Sequence, residues 1–250
     1  MRALLPRESR LRSGANGVRP KIGISPCRDT LAIRRAATVA KRALKGGSVA
    51  AKDEKPKVRM LLLVGDRIGA NCMMGGKKLS ILEKFGRFGW EVTLAGVADT
   101  VEPCAFAAKR GAKVMQLHST VEAVSDVMDY DGISVLPGPS HDGLMASSTA
   151  MALLREGYAG GLVVSAWCRG VRVLAAADLV RGKRIVGHAD DKAAIEDAGG
   201  VFVGQDHPPI IDGTLVSGAR SYFYRAKNAE AIRQAIAARQ AARTASRGDR

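Results

Sequence analysis

From Lys57 onward the sequence predicts an α/β fold, a single doubly wound parallel sheet flanked by helices. Three observations predict it. Short apolar runs alternate with amphipathic stretches of helical period. The runs lack polar alternation, as strands buried on both faces do. Apolar residues make up 46% of the chain and aromatics only 4%, a balance that suits aliphatic sheet-and-helix layers.

The elements follow in order. Residues 58–64 (VRMLLLV) read as a buried first strand, followed by a glycine-containing loop. A helix is expected over 77–87, where Leu79, Leu82 and Phe85 share one face. Gly89 ends it, and 90–95 (WEVTLA) is the next strand. A short strand at 113–117 and a helix at 121–128 come next, then a core strand at 132–136 (GISVL) ending in Pro137-Gly138. A long helix is expected over 144–155, a fourth core strand at 161–165 and a helix at 171–180. The C-terminal part holds short strands at 184–187 and 201–203, a short helix at 192–197 and a hairpin over 210–216 turned at Asp212-Gly213. A last helix is expected at 222–237 with Ile232 and Ile236 inward. No internal repeat is evident, and no apolar run approaches the ~20 residues of a membrane helix, so no membrane partner is expected.

The formal charge of +15 is concentrated at one end. Residues 1–52 hold 13 Lys and Arg against two acids, a net of +11, and residues 60–250 carry only +3. A nearly balanced domain with a basic arm, and no aromatic residues interleaved with the arm's cations, does not read as a nucleic-acid groove. Within the arm, residues 30–45 place Arg34, Arg35, Lys41, Arg42 and Lys45 opposite Ile33, Val39, Leu44 and several alanines. A basic amphipathic helix in an acid-poor segment has the composition of an organelle transit peptide, which would direct the protein to mitochondrion or plastid. The alternatives are a disordered tail, or upstream sequence included by a wrong start codon, either leaving the protein in the cytoplasm. The expected organisation is therefore an arm over 1–56, one α/β domain over 57–240 and a basic tail over 241–250.

Cys27, Cys72, Cys104 and Cys168 show no C-x-x-C pairing and no zinc-type spacing with histidine, so free thiols and no metal are expected. The first loop has no G-x-G-x-x-G, which makes a dinucleotide enzyme a weak reading, and no cofactor is expected. The informative segment is Ser165-Ala166-Trp167-Cys168-Arg169-Gly170. A strand ends, a nucleophile-type residue follows and a helix begins within two residues. Such an elbow strains its central residue and needs small neighbours two positions away, here Ala166 and Gly170. A helix N-terminus and Arg169 beside the sulfur are expected to favour thiolate. The bland alternative is a buried, inert cysteine.

The run AWCRGVRVLAAADLVRGKRIVGH, followed by IEDAGGVFV and IIDGTLVSG, resembles the ThiJ/PfpI family, whose members include Parkinson-linked deglycase-like proteins, PfpI-type peptidases, glyoxalase-type enzymes and isonitrile hydratases. The resemblance implies a flavodoxin-like three-layer α/β/α sandwich, a homodimer or higher oligomer, and Cys168 as the functional centre. The His that often follows the family cysteine is Arg169 here, a residue that could hold a substrate carboxylate. His188, at the end of the following strand, matches a position where other members carry His. The family's Glu after the first strand falls on Cys72, with Asp66 as a possible substitute. The family's P-G-G reads Pro137-Gly138-Pro139, so Gly138 stays as an anion contact while Pro139 has no N–H to give. His141 follows in that loop as a second candidate base, whereas His118 and His207 read as surface or turn residues.

Two functions follow as expectations. In one, Cys168 attacks a small carbonyl or acyl-type electrophile, His188 or His141 moves the proton, and N–H groups after the elbow stabilise the oxyanion. In the other, Cys168 is a non-catalytic redox sensor in a stress-protective protein, with Cys72 as the resolving thiol.

Overall fold

The computed structural model describes residues 57–75 and 78–248, with side chains of the last helix through 246. The basic arm, Cys27 and the transit-peptide reading lie outside the described residues.

The first strand shows why this is a three-layer structure. In β1 (Arg59–Leu63), Leu61 and Leu63 enter one hydrophobic cluster while Met60 and Leu62 enter a second. Alternate side chains of an extended chain point to opposite faces, so an uninterrupted apolar run can be satisfied only with a layer on each side. Two-residue strand β2 (Arg67–Ile68) leads to a helical turn, α1 (Ala70–Met73). Helix α2 (Ile81–Arg87) begins four residues later than the expected start, because Ser80 and Glu83 form a reciprocal capping box there. Strand β3 (Glu91–Gly96) returns beside β1, and β4 (Thr100–Pro103), α3 (Ala105–Ala108), β5 (Met115–Gln116) and β6 (Ser119–Thr120) follow.

The helix expected at 121–128 is instead two 3₁₀ turns, Val121–Ala123 and Val127–Asp129, the second capped by Asp126 accepting from the Met128 N–H at 2.7 Å. Strand β7 (Gly132–Val135) is fully buried. The long helix expected next is two, α4 (Asp142–Ala146) and α5 (Ser148–Ala159), divided at Ser147, whose extended backbone ends one and whose hydroxyl caps the other. Strand β8 (Val163–Trp167) passes through a 3₁₀ turn at Cys168–Gly170 into α6 (Val171–Ala176), which stops short of the expected Val180 at Asp178, a residue with φ +58°. Strand β9 (Arg184–Ile185), helix α7 (Lys192–Asp197) and strand β10 (Val201–Phe202) precede the hairpin of β11 (Ile210–Asp212) and β12 (Leu215–Gly218), with Gly213 in the left-handed conformation its turn needs. The last helix, α8 (Ser221–Gly248), runs eleven residues past the expected end, through a stretch rich in the strong helix formers Ala and Arg.

The seven-stranded sheet has the order β11-β12-β8-β7-β1-β3-β6, parallel except for the β11–β12 hairpin. Within it, β3-β1-β7-β8-β12 is the 2-1-3-4-5 order of a flavodoxin-like fold. One face packs on α5, α6 and α7 through Leu154, Leu174 and Ile195. The other packs on α2 and α8 through Ile81, Phe85, Ile232 and Ile236. Among the described residues, no helix is long and apolar enough to cross a membrane.

Arg225 ties α8 to α1 and to the segment between α1 and α2. It is 5% exposed, donates to the Leu79 carbonyl at 2.6 Å and Lys78 carbonyl at 3.4 Å, and reaches Asn71 Oδ1 at 2.9 Å. Removing the guanidinium leaves carbonyls without donors in a closed space. Arg225→Met is expected to cost about 2 kcal/mol, a fall of roughly 4–8 °C in Tm. Thermal denaturation followed by circular dichroism checks this, and an unchanged Tm would show that water replaces the clamp.

Candidate functional site

Cys168 sits where β8 gives way to α6, with φ +54°. Non-glycine residues rarely take this conformation, and the surroundings enforce it. On one side, Trp167 is 1% exposed, with its ring edge-on to Phe85 at 6.1 Å. On the other, Gly170 lies so close to β7 that a Cβ there would meet the Val135 carbonyl oxygen at 3.1 Å and that of Leu136 at 3.2 Å. The strand cannot run on and the helix cannot start later, so the turn falls on Cys168.

The thiol opens into a cleft of about 470 Å³ at the carboxyl end of the sheet, lined by Asn71, Cys168, His188, Asp190, Ser221 and their neighbours. Beyond β8, the loops after β9 and β10, the start of α8 and the helical turn α1 build it. Arg220, at φ +41°, precedes α8 and sets the direction of its first N–H groups. The backbone N–H groups of Arg169 and Ser221 favour the ionised form of the thiol. Asn71 Nδ2 donates to Ser221 Oγ at 3.0 Å, and Asn71 Oδ1 receives Arg225, so the clamp of the fold also steadies this terminus.

His188 shares the cleft. Its Nδ1 lies 3.2 Å from the Asp190 N–H and 3.4 Å from Asp190 Oδ2. Nδ1 accepts that N–H, so in the neutral ring Nε2 carries the proton and is a donor.

The other candidates are placed elsewhere. Asp66 accepts from Ser140 Oγ at 2.5 Å, the Asp142 N–H at 2.9 Å and the Gly143 N–H at 3.0 Å, which makes it the cap of α4. His141 is wholly buried, with Nε2 2.9 Å from the Leu136 carbonyl oxygen, and burial lowers its pKa, so its ring is neutral. Gly138 packs against the Arg67 carbonyl with no room for a side chain, and Pro139 is exposed; neither lines the Cys168 cleft. Cys72 is fully buried, its thiol donates to the Pro137 carbonyl at 3.4 Å, and burial pushes its pKa far up. Cys72, Cys104 and Cys168 are all free thiols. His118 is an exposed residue whose Nδ1 accepts from the Leu94 N–H at 3.0 Å, and His207 lies against Pro208 in a loop.

Two electrostatic expectations need correction. Arg169 is not free for a substrate carboxylate: Nη1 is 2.7 Å from Asp190 Oδ2 and Nη2 is 3.5 Å from Asp191 Oδ1. The Cys168 thiol is not poised as thiolate either. Burial pushes its pKa up, the Asp191 charge adds to this, and the Arg169 and Ser221 N–H groups and the Arg169 charge offset only part. The N–H groups and the Arg169 charge act in the expected direction and are outweighed by burial. Sequence reasoning also missed Asn71, Asp190, Asp191 and Ser221. Only the order of S-Y-F after the last strand hinted that a helix began at the site. Among the described residues, no three His, Cys, Asp or Glu side chains converge to hold a metal ion.

Fold and site together define a flavodoxin-like α/β protein with a cysteine at a strand-to-helix elbow. The profile of the DJ-1/PfpI family matches residues 78–228, and the chain belongs to that family. Protein DJ-1 homolog D of Arabidopsis thaliana is 29% identical over 105 residues, 41% of this chain and 27% of that relative, so the match spans about a quarter of the relative's length. The fold is similar to that of a ThiJ/PfpI domain protein from Brachyspira murdochii, with TM-score 0.61 and 11% identity over 73% of this chain and 98% of the other. It is also similar to Drosophila melanogaster DJ-1beta, with TM-score 0.56 and 19% identity over 73% of this chain and 95% of the other. A two-domain protein from Anabaena variabilis, with DJ-1/ThiJ/PfpI-like and ferritin-like domains, gives TM-score 0.60 and 19% identity over 71% of this chain and 48% of the other.

The raised pKa sets a pH dependence. A thiol that holds its proton more firmly than free cysteine alkylates slowly at neutral pH, and its rate keeps climbing above the ordinary thiol pKa of about 8.5. Iodoacetamide labelling of Cys168, followed by peptide mass mapping between pH 6 and 10, is expected to show a midpoint above that of free cysteine. A midpoint below it would restore the thiolate reading.

Proposed function

We propose that the protein uses Cys168 as a nucleophile towards a small carbonyl or acyl-type electrophile, in glyoxalase-, deglycase- or hydrolase-type chemistry. The observation that carries this reading is the left-handed elbow at Cys168, which opens the sulfur into a cleft shared with His188. In the first step the thiol proton moves to His188 Nε2, for which the ring exchanges the Nδ1-acceptor form held by the Asp190 N–H for the form with Nδ1–H towards the Asp190 carboxylate. The sulfur lone pair then forms a C–S bond with the electrophilic carbon, and the π pair of C=O moves onto oxygen. That oxygen is met by the N–H groups at the elbow and the start of α8, and takes the proton back from His188.

The sensor alternative needs a standing, accessible thiolate and a second thiol in reach. Burial keeps Cys168 protonated and Cys72 is engaged beneath the surface with Pro137, whereas a catalytic thiol can be deprotonated on demand by a neighbouring base. The enzyme reading is therefore preferred. Homodimer formation, and delivery to an organelle by the basic arm, belong to the same proposal.

Turnover of 2-oxoaldehydes such as methylglyoxal is expected to be weak, since Arg169 replaces the adjacent His and no acid occupies the family Glu position. Cys168→Ser is expected to abolish product formation, and His188→Ala to lower kcat by about 10²–10⁴. Product assays on an aldehyde panel check this; activity that survives Cys168→Ser overturns the reading.

A further inference from the structure

Next to the elbow lies a charged pair that the proposed chemistry does not use directly. Asp191 follows the His188–Asp190 wall of the cleft and is 2% exposed. Its Oδ1 is 3.5 Å from Arg169 Nη2, and its Oδ2 is buried without a hydrogen-bond partner. Arg169 Nε is likewise buried and unpartnered, while Nη1 reaches out to the exposed Asp190 carboxylate at 2.7 Å. The Arg169–Asp190 contact is at the surface, where ion pairs are screened and weak. The Asp191 contact is shielded from water, where a charge is felt strongly by its neighbours.

We propose that Asp191 is a positioning residue for Cys168: paired with Arg169, it forms a charge-balancing latch beside the elbow that restrains the reactivity of the sulfur. The inference rests on the reading of Cys168 as the reacting atom. Arg169 is bonded to Cys168 through the main chain, so its positive charge cannot leave the neighbourhood, and unbalanced it would draw the thiol towards thiolate. Asp191 cancels that charge from within the protein. The charged and titratable groups that act on Asp191 include Arg169 from the elbow, Arg172 from α6, and His188 and Asp190 from the loop after β9. Burial raises the Asp191 carboxyl, and the Arg169 and Arg172 charges pull it back towards ionisation. Those that act on the sulfur include Asp191 and Arg169 themselves, with opposite signs. Cys72 is uncharged at neutral pH because burial holds its proton.

The latch makes a prediction in two directions. In the full chain, iodoacetamide alkylation of Cys168 is followed from pH 6 to 10 by peptide mass mapping, with Cys104 labelling as internal control. Asp191→Asn leaves Arg169 with only the exposed, screened Asp190 carboxylate. Its midpoint is expected to move down by about one pH unit, making Cys168 roughly tenfold faster near neutral pH. Arg169→Gln leaves Asp191 unbalanced, and its midpoint is expected to move up. The double variant is expected to lie between the two singles, and Cys104 to stay unchanged in all. A midpoint unmoved in either single variant, or moved in the same direction in both, overturns the proposal. Should Asp191→Asn fail to fold by circular dichroism, Arg169→Gln decides: a downward or absent shift rejects the latch. Failure of aldehyde turnover with these shifts intact would reject the enzyme reading and leave the latch standing, so the two are separable.

Discussion

The left-handed backbone at Cys168 is the constraint on which the site depends, and it is imposed from both sides of the residue. Trp167 is buried edge-on against Phe85 in one layer, and Gly170 is pressed against the Val135 and Leu136 carbonyls in the other. A conformation of this kind costs about 1–3 kcal/mol, and it persists only where packing on each side leaves no alternative. Here both anchors are core contacts, so the strain is held by the same burial that stabilises the sheet. Relaxing the turn would withdraw either the tryptophan or the helix start. The sulfur is thus presented by the architecture of the domain, not by its own loop.

Around that fixed atom the polar groups divide into two kinds. Asp66, His141 and Cys72 are committed to capping or to backbone carbonyls, and their chemistry is used up in holding loops together. Asn71, Ser221, His188 and Asp190 face the cleft, and come from α1, from the loop after β9 and from the first turn of α8. Arg225 connects the kinds, since the side chain that satisfies buried carbonyls also orients Asn71 against Ser221. Stability and site geometry share one guanidinium. The raised thiol pKa is consistent with this division: most charges near Cys168 are already paired, and burial is the largest influence left.

Much of the fold was legible in residues alone. The VRMLLLV run, the buried GISVL strand and the Asp-Gly hairpin all appear near where their patterns placed them, because double-sided burial and turn chemistry act over a few residues. Where boundaries differed, a single side chain decided: Ser147 splits one helix, the Ser80–Glu83 box delays another, and Asp126 turns an expected helix into 3₁₀. Such caps compete with periodicity on nearly equal terms, so periodicity alone misplaces them. In the site, the elbow and His188 were readable from spacing and resemblance. Arg169 was readable as a charge near the sulfur but not as a charge already balanced.

By itself, then, the sequence determined the α/β class, the doubly wound order of elements and the cysteine at the elbow. These rest on local sterics and on the period of apolar residues, both written in consecutive positions. Only the tertiary structure decided which polar groups surround the sulfur and which are engaged elsewhere. Asn71 meets Ser221 across 150 residues, Asp66 meets Gly143 across 77, and Arg169 meets Asp190 across 21. No pattern of neighbours encodes these meetings. They follow from how the strands order in the sheet and from how deeply each loop is buried, and burial is what turned an expected thiolate into a protonated thiol.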